Sequence, residues 1–206
     1  DEEIEIKITI GDLQESSATE AKIIIYEKCL QGVLREQREE GLQKQITGLD
    51  TATLERILTE AGLCVVQSGG EFAKVKMIES RLETSDPEAT QLIKDLRQQQ
   101  GEKALTTALG AFYLRPAAGD KGGGVEFYHK SFGEFLCAKR LQDSLEEWKE
   151  LRQKKRQQFV IKDEELWKDI YDLLGYGGLT PEIVEYLMGL LERSEAFNPV
   201  KLFERL

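Results

Sequence analysis

Two short apolar runs, AFYLR at 111–115 and VEFYH at 125–129, flank the connector PAAGDKGGG. A Gly- and Asp-bearing connector between such runs predicts a β-hairpin with a long tip. The second strand feeds straight into a helix. Ser131 is the expected N-cap with Glu134 three residues on, the spacing of a capping box, and Phe132, Phe135, Leu136, Lys139 and Leu141 follow at helical intervals. His129, the only histidine among 206 residues, stands at the strand-to-helix junction.

Helices are expected on both sides of this hairpin. Ser17 with Glu20 makes another capping box, and Ile24, Ile25, Cys29, Leu30, Val33 and Leu34 recur at helical spacing as far as Gly41. Asp50 caps the next helix, whose apolar face is Leu54, Ile57, Leu58, Ala61, Leu63, Cys64 and Val65 and whose stop is Gly69–Gly70. Residues 71–82 read as a short strand or turn and then a short helix. Pro87 suits the first turn of a further helix capped by Asp86 or Ser85, with a thin apolar face of Ala89, Leu92, Ile93 and Leu96, and 101–112 leads helically into the hairpin.

After the hairpin the helix is expected to run past Trp148 toward Gln157. Asp163 then opens a helix with Leu166, Trp167, Ile170, Tyr171 and Leu174 as its face, ended by the glycines of 175–178. Thr180 caps the last long helix, Pro181 takes its first position, and Ile183, Val184, Leu187, Met188, Leu190 and Leu191 form its stripe; PVKLFERL is a short closing helix. All these faces read as amphipathic rather than apolar all round. At the start, Ile4, Ile6, Ile8 and Ile10 alternate with polar neighbours, which argues a strand or arm over 1–16.

A hairpin followed by a helix and preceded by other helices is the order of a winged-helix domain. The stretch FYHKSFGEFLCAKRL also resembles the F-x-H-x-S-F-Q-E-F/Y-x-A-A-x-x-L motif that closes the winged-helix region of NACHT proteins. These are signal-transduction NTPases of the STAND class, related to the NLR-type innate sensors. Phe127, His129, Ser131, Phe132, Glu134, Phe135, Ala138 and Leu141 stand at matching positions, whereas Gly133 replaces the usual Gln and Cys137 the first Ala. TGLDTATLERILTEAGLCVVQSGG is similar to the second helix of cyanobacterial, hence bacterial, members. The expected fold is therefore mainly α: an arm over 1–16, a winged-helix domain of helices plus a β-hairpin wing over 17–157, and a small helical domain over 158–206.

The resemblance implies a non-catalytic regulatory module that couples the nucleotide state of an upstream NTPase core to a downstream sensor domain. In closed members the motif His approaches the phosphates of ADP, a role that maps onto His129. ADP or ATP with Mg would be bound by the parent protein, with no cofactor in this chain. The chain begins with Asp rather than Met, so it is expected to be a piece whose NTPase core precedes residue 1. Self-association on activation is the further expectation, in the cytoplasm.

A winged-helix DNA-binding regulator is the alternative from another class. A net charge of −10 argues against it, because a surface that neutralises phosphates is basic. The one basic run, Lys149 to Arg156, follows an amphipathic helix and reads as a solvated face. No apolar run approaches the ~20 residues needed to cross a bilayer.

Enzymatic parts are sparse. There is no GxxxxGK(S/T) phosphate loop and no acidic residue closing an apolar strand as a magnesium ligand would, and Gly122–Gly124 lies between strands rather than before a helix. His129 and Cys137 are separated by eight residues, about two helical turns, which places a Cys–His pair out of reach. A lone His with Glu134 is a poor metal site. Cys29, Cys64 and Cys137 are scattered in apolar helical contexts and read as reduced, buried thiols. Phe127, Ser131, Phe132, Glu134 and Phe135 are expected to be structural, with Glu134 capping the helix or pairing with Lys139 or Arg140.

Overall fold

Ser17 and Glu20 close the first helical turn reciprocally: Glu20 accepts from the Ser17 N–H at 2.6 Å and Ser17 Oγ accepts from the Glu20 N–H at 3.2 Å. Helix α1 spans Ala18–Glu36 behind this cap. The structure, a computed structural model, describes residues 17–36, 51–101, 104–110, 114–117, 123–149, 151–152, 158–175, 177–195 and 197–206. The expected strand over 1–10 and the expected cap Asp50 lie outside these residues.

The chain continues through α2 (Thr51–Gln67), β1 (Ala73–Lys74), α3 (Val75–Ser85), α4 (Pro87–Gln100), α5 (Ala104–Gly110), β2 (Leu114–Pro116), β3 (Gly124–Phe127) and α6 (Lys130–Trp148). After α6 come β4 (Leu151–Arg152), β5 (Gln158–Phe159), α7 (Asp163–Leu174), α8 (Pro181–Arg193) and α9 (Pro199–Arg205). The protein is mainly helical with a small antiparallel sheet of order β1-β3-β2. β2 and β3 form the hairpin, with Leu114 opposite Phe127 and Arg115 opposite Glu126, and β1 lies on the other edge of β3 with Ala73 opposite Val125. Arg115 and Glu126 meet at 2.6 Å, an exposed cross-strand pair that fixes register more than it stabilises.

α2 and α6 form the centre. Residues from Ile57 to Val65 are buried without interruption, and so are those from Phe132 to Ala138, so neither helix keeps a polar face there. This corrects the expectation of amphipathic helices throughout, because other helices cover both from every side. Gly62 makes the close approach possible: a Cβ there would lie 2.9 Å from Gly133 O and from the Cys137 nitrogen. α8 packs on both α6 and α1, and Leu166, Leu173, Ile183, Tyr186, Leu190 and Leu202 belong to the same hydrophobic cluster as the residues of α1 to α6.

Caps hold where the sequence places them on α4, where Asp86 accepts from the Ala89 N–H at 2.8 Å, and on α8, where Thr180 accepts from the Ile183 N–H at 3.3 Å. α4 buries Ala89, Leu92, Ile93 and Leu96 along one stripe, as expected. Expectations fail at α6, α7 and α8. The helix ends at Trp148, its last buried aromatic, and β4 pairs with β5 instead, since the basic run beyond it offers no apolar stripe to bury. On α7 the buried residues are Leu166 and Leu173, while Trp167, Tyr171 and Leu174 are exposed. Val184 and Met188 of α8 are likewise exposed.

Candidate functional site

Strand β3 delivers the chain to α6 through Tyr128 and His129. His129 is extended, with φ −121° and ψ 112°, and occupies the N-cap of α6. Its carbonyl accepts from the N–H groups of Phe132 at 3.0 Å and Gly133 at 3.4 Å, so the cap lies two residues before the expected one. Its imidazole is exposed and makes no hydrogen bond to the helix terminus.

Ser131, expected to cap, instead faces the neighbouring helix, where its hydroxyl lies 2.6 Å from the Tyr26 hydroxyl. Phe132 and Phe135 stack at 6.2 Å and both lie against Tyr26 of α1, at 5.6 and 5.5 Å. Phe127 meets Phe132 edge-on at 6.2 Å. The Phe127 ring also occupies the space that a Cβ on Gly133 would enter, coming within 2.6 Å of it. Glycine at that position lets the hairpin close onto α6. These rings bind β3, α1 and α6 into one unit, each aromatic pair adding roughly 0.5–1.5 kcal/mol beyond the area it buries.

Glu134 is buried, at 7% exposure, and pairs with neither Lys139 nor Arg140. Its Oε1 accepts from Thr180 Oγ1 at 3.4 Å and lies 3.7 Å from Lys130 Nζ. Lys139 is engaged by Glu55 at 3.0 Å and Arg140 by Glu60 at 2.8 Å. Beside Glu134 is a cavity of 270 Å³ between the start of α6, the end of α2 and the loop before α8; Gly69, Gly70, Gly177 and Gly178 lie in its wall. Sequence reasoning missed it. Both glycine pairs read as helix stops, and nothing in their spacing says that they face each other.

The other unforeseen feature is a charge cluster about Glu60, which is 0% exposed. Arg81 and Arg140 both donate to it, one to each oxygen, and Arg140 also donates to Ser144. Arg81 reaches on to Asp172 of α7 at 2.7 Å, and Gln67 Nε2 donates to the Asp172 carbonyl at 2.7 Å. Burial pushes the Glu60 carboxyl up, but the two guanidinium groups outweigh it and hold it below its usual range. Asp143 goes the other way, pushed up to about 6 by burial despite Lys139, Arg140 and Arg56 nearby.

Cys64 and Cys137 are buried and their thiols are pushed up, that of Cys137 to about 12, first by burial and then by the Glu60 charge. Neither has thiolate character. Cys29 is exposed, contrary to the expectation that all three are buried. His129 is exposed while Cys137 is buried. Among the described residues no group of three or more His, Cys, Asp or Glu is placed to hold a metal. Of the basic run, Lys149 is buried, and positions 150 and 153–156 lie outside the described residues. No helix among the described residues is long and apolar enough to cross a membrane. No family model matches the chain, and neither does any curated protein or solved structure.

Proposed function

We propose that this chain is a regulatory module of a NACHT-type STAND NTPase, relaying nucleotide state from an NTPase core to a downstream sensor. The observation that carries the reading is the contrast within one motif. Phe127, Phe132, Phe135 and Glu134 are buried, and the one position that the resemblance assigns to the nucleotide, His129, is exposed at a helix N-terminus. The order helix, β1, helices, β2, β3, with β1 paired to β3, supports the winged-helix part of the proposal.

The chemistry of the junction suits a phosphate. His129 is exposed at the positive end of a 19-residue helix, which favours a negatively charged oxygen beside it. A hydrogen bond from His129 to a phosphate oxygen of ADP would tie this module to the core in the resting state. Movement of the module as a rigid body on exchange for ATP would then carry the signal.

The test is ADP retention by the intact parent protein. His129→Ala removes a bond worth ~1–3 kcal/mol, which moves the closed–open equilibrium by roughly 5- to 150-fold, so ADP should leave faster and the protein should self-associate without a stimulus. Equal ADP retention in both proteins, with this module still folded, would reject the role. The isolated chain should not turn over ATP. One charge-assisted bond of ~1.5–3 kcal/mol falls far short of the ~8 kcal/mol of a micromolar site.

A further inference from the structure

Helix α2 ends in a reversed turn: Gly69 and Gly70, at φ 102° and 86°, send their N–H groups to Val66 O at 3.1 Å and Val65 O at 2.8 Å. The turn presents side-chain-free backbone toward the first turns of α6. The Gly177–Gly178 segment lies across from it, and the 270 Å³ cavity lies between these three elements, with Phe127 of β3 also in its wall. This volume is equivalent to about nine waters and sits just below the ~300–1,000 Å³ of pockets for drug-sized ligands. It has room for a single side chain.

Charge decides which side chain. Glu134, buried to 93% by its 7% exposure, is a carboxylate in the wall, with Glu71 also lining the space. An ionised carboxylate has about four acceptor sites. Glu134 uses them thinly, with Thr180 at 3.4 Å and Lys130 at 3.7 Å, both longer than a charge-assisted bond of about 2.7–2.9 Å. The Lys130 side chain is 69% exposed, so it can be displaced. Val65, Val66 and Phe127 supply an apolar wall for a methylene stem.

We infer that this cavity recognises a guanidinium group on a short aliphatic stem, such as an arginine side chain. A planar fork matches a buried carboxylate in a way that a point charge does not. Anions are disfavoured by Glu134 and Glu71, and the net charge of −10 draws cations toward the surface. Lys130 holds the carboxylate in the meantime and competes with the ligand. Thr180 both caps α8 and donates to Glu134, so occupancy bears on the contact between α6 and the loop before α8.

The experiment titrates N-acetyl-argininamide into the ¹⁵N-labelled 206-residue chain and follows the amides of Gly69, Gly70, Gly133, Gly177 and Gly178, with N-acetyl-citrullinamide as the uncharged isostere. Saturable shifts at these glycines with the arginine compound alone are expected. Glu134→Gln should weaken binding about tenfold or more, and Lys130→Met should tighten it. Gly178→Trp, at a position with nothing within 4 Å of its Cβ, should block binding without touching Glu134, which keeps the test decisive if Glu134→Gln fails to fold.

A second arm uses the peptide acetyl-Gly-Ser-Arg-Ser-Gly-amide. Tighter binding of the peptide assigns the ligand to a protein segment, and equal binding assigns a free guanidino compound; both uphold guanidinium recognition. The inference is overturned by an absence of saturable shifts, by equal response to the citrulline compound, or by full affinity in Glu134→Gln or, where that variant does not fold, in Gly178→Trp.

Discussion

Arg140 Nε donates to Glu60 Oε2 at 2.8 Å across the α2–α6 interface, joining two side chains that are 7% and 1% exposed. Arg81 takes the other oxygen, so one carboxylate neutralises guanidinium groups from α3 and α6. Removing it leaves the buried Arg140 guanidinium without its ion pair and Arg81 with Asp172 alone. Glu60→Ala should cost ~3–5 kcal/mol, read as a lower midpoint in urea. A loss under ~1 kcal/mol would show that water reaches and solvates the arginines.

The same pair sets an acid limit. The folded carboxyl of Glu60 lies below its ordinary 4.5, so its contribution is complete above that pH and is lost as pH falls through the folded value. Wild-type stability should therefore drop below about pH 4.5, and Glu60→Gln should flatten that drop. Equal acid slopes in both proteins would remove Glu60 as the cause.

Asp143 acts in the opposite sense. Its folded carboxyl is pushed up to about 6 from 3.8, chiefly by burial, so the native state binds the proton more tightly and stability declines as pH rises between these values. Asp143→Asn should raise stability at pH 7 by about 1 kcal/mol and have no effect below about pH 3.8. An unchanged midpoint at pH 7 would mean that Lys139 and Arg140 already offset its burial.

Gly62 leaves no room for a methyl group, because the nearest atoms are backbone of α6 at 2.9 Å. Alanine gains up to ~1 kcal/mol of helix propensity, yet forcing α2 and α6 apart costs more, so Gly62→Ala should lose ~1–3 kcal/mol net. Gly178→Ala, with open space about its Cβ, is the control and should stay within ~0.5 kcal/mol of wild type.

Solvent probes should separate the two tryptophans and the three cysteines. Trp167 is 61% exposed and Trp148 4%, so acrylamide should quench one emission component readily, and Trp167→Phe should remove it with little change in stability. Cys29 alone should react with a thiol reagent in the native state, with Cys64 and Cys137 following only on unfolding. Rapid labelling of all three would contradict the packing of α2 on α6.

Local chemistry was readable from residues close in sequence. Ser17 with Glu20, Asp86 with Pro87 and Thr180 with Pro181 each act within a few residues, so their caps appear where the pattern puts them. The hairpin of β2 and β3 follows from its turn residues in the same way. Ser131 and Glu134 had the identical spacing, and there the strand entering from Phe127 shifted the helix start to Lys130 and turned both side chains to other partners.

The sequence by itself determined where most of the helices and the hairpin lie, because each depends on neighbours in the chain. Tertiary structure alone decided which faces are covered. α7 carries apolar residues over a wide arc, and only packing selects Leu166 and Leu173 for the core while leaving Trp167 outside. Glu60 looks like any helical glutamate until Arg81 and Arg140, 21 and 80 residues away, converge on it. The cavity at Glu134 likewise exists only because two distant glycine pairs meet at the start of one helix. Burial and charge pairing are properties of separation in space, and a linear pattern encodes that separation only when the partners lie within a turn or two of each other.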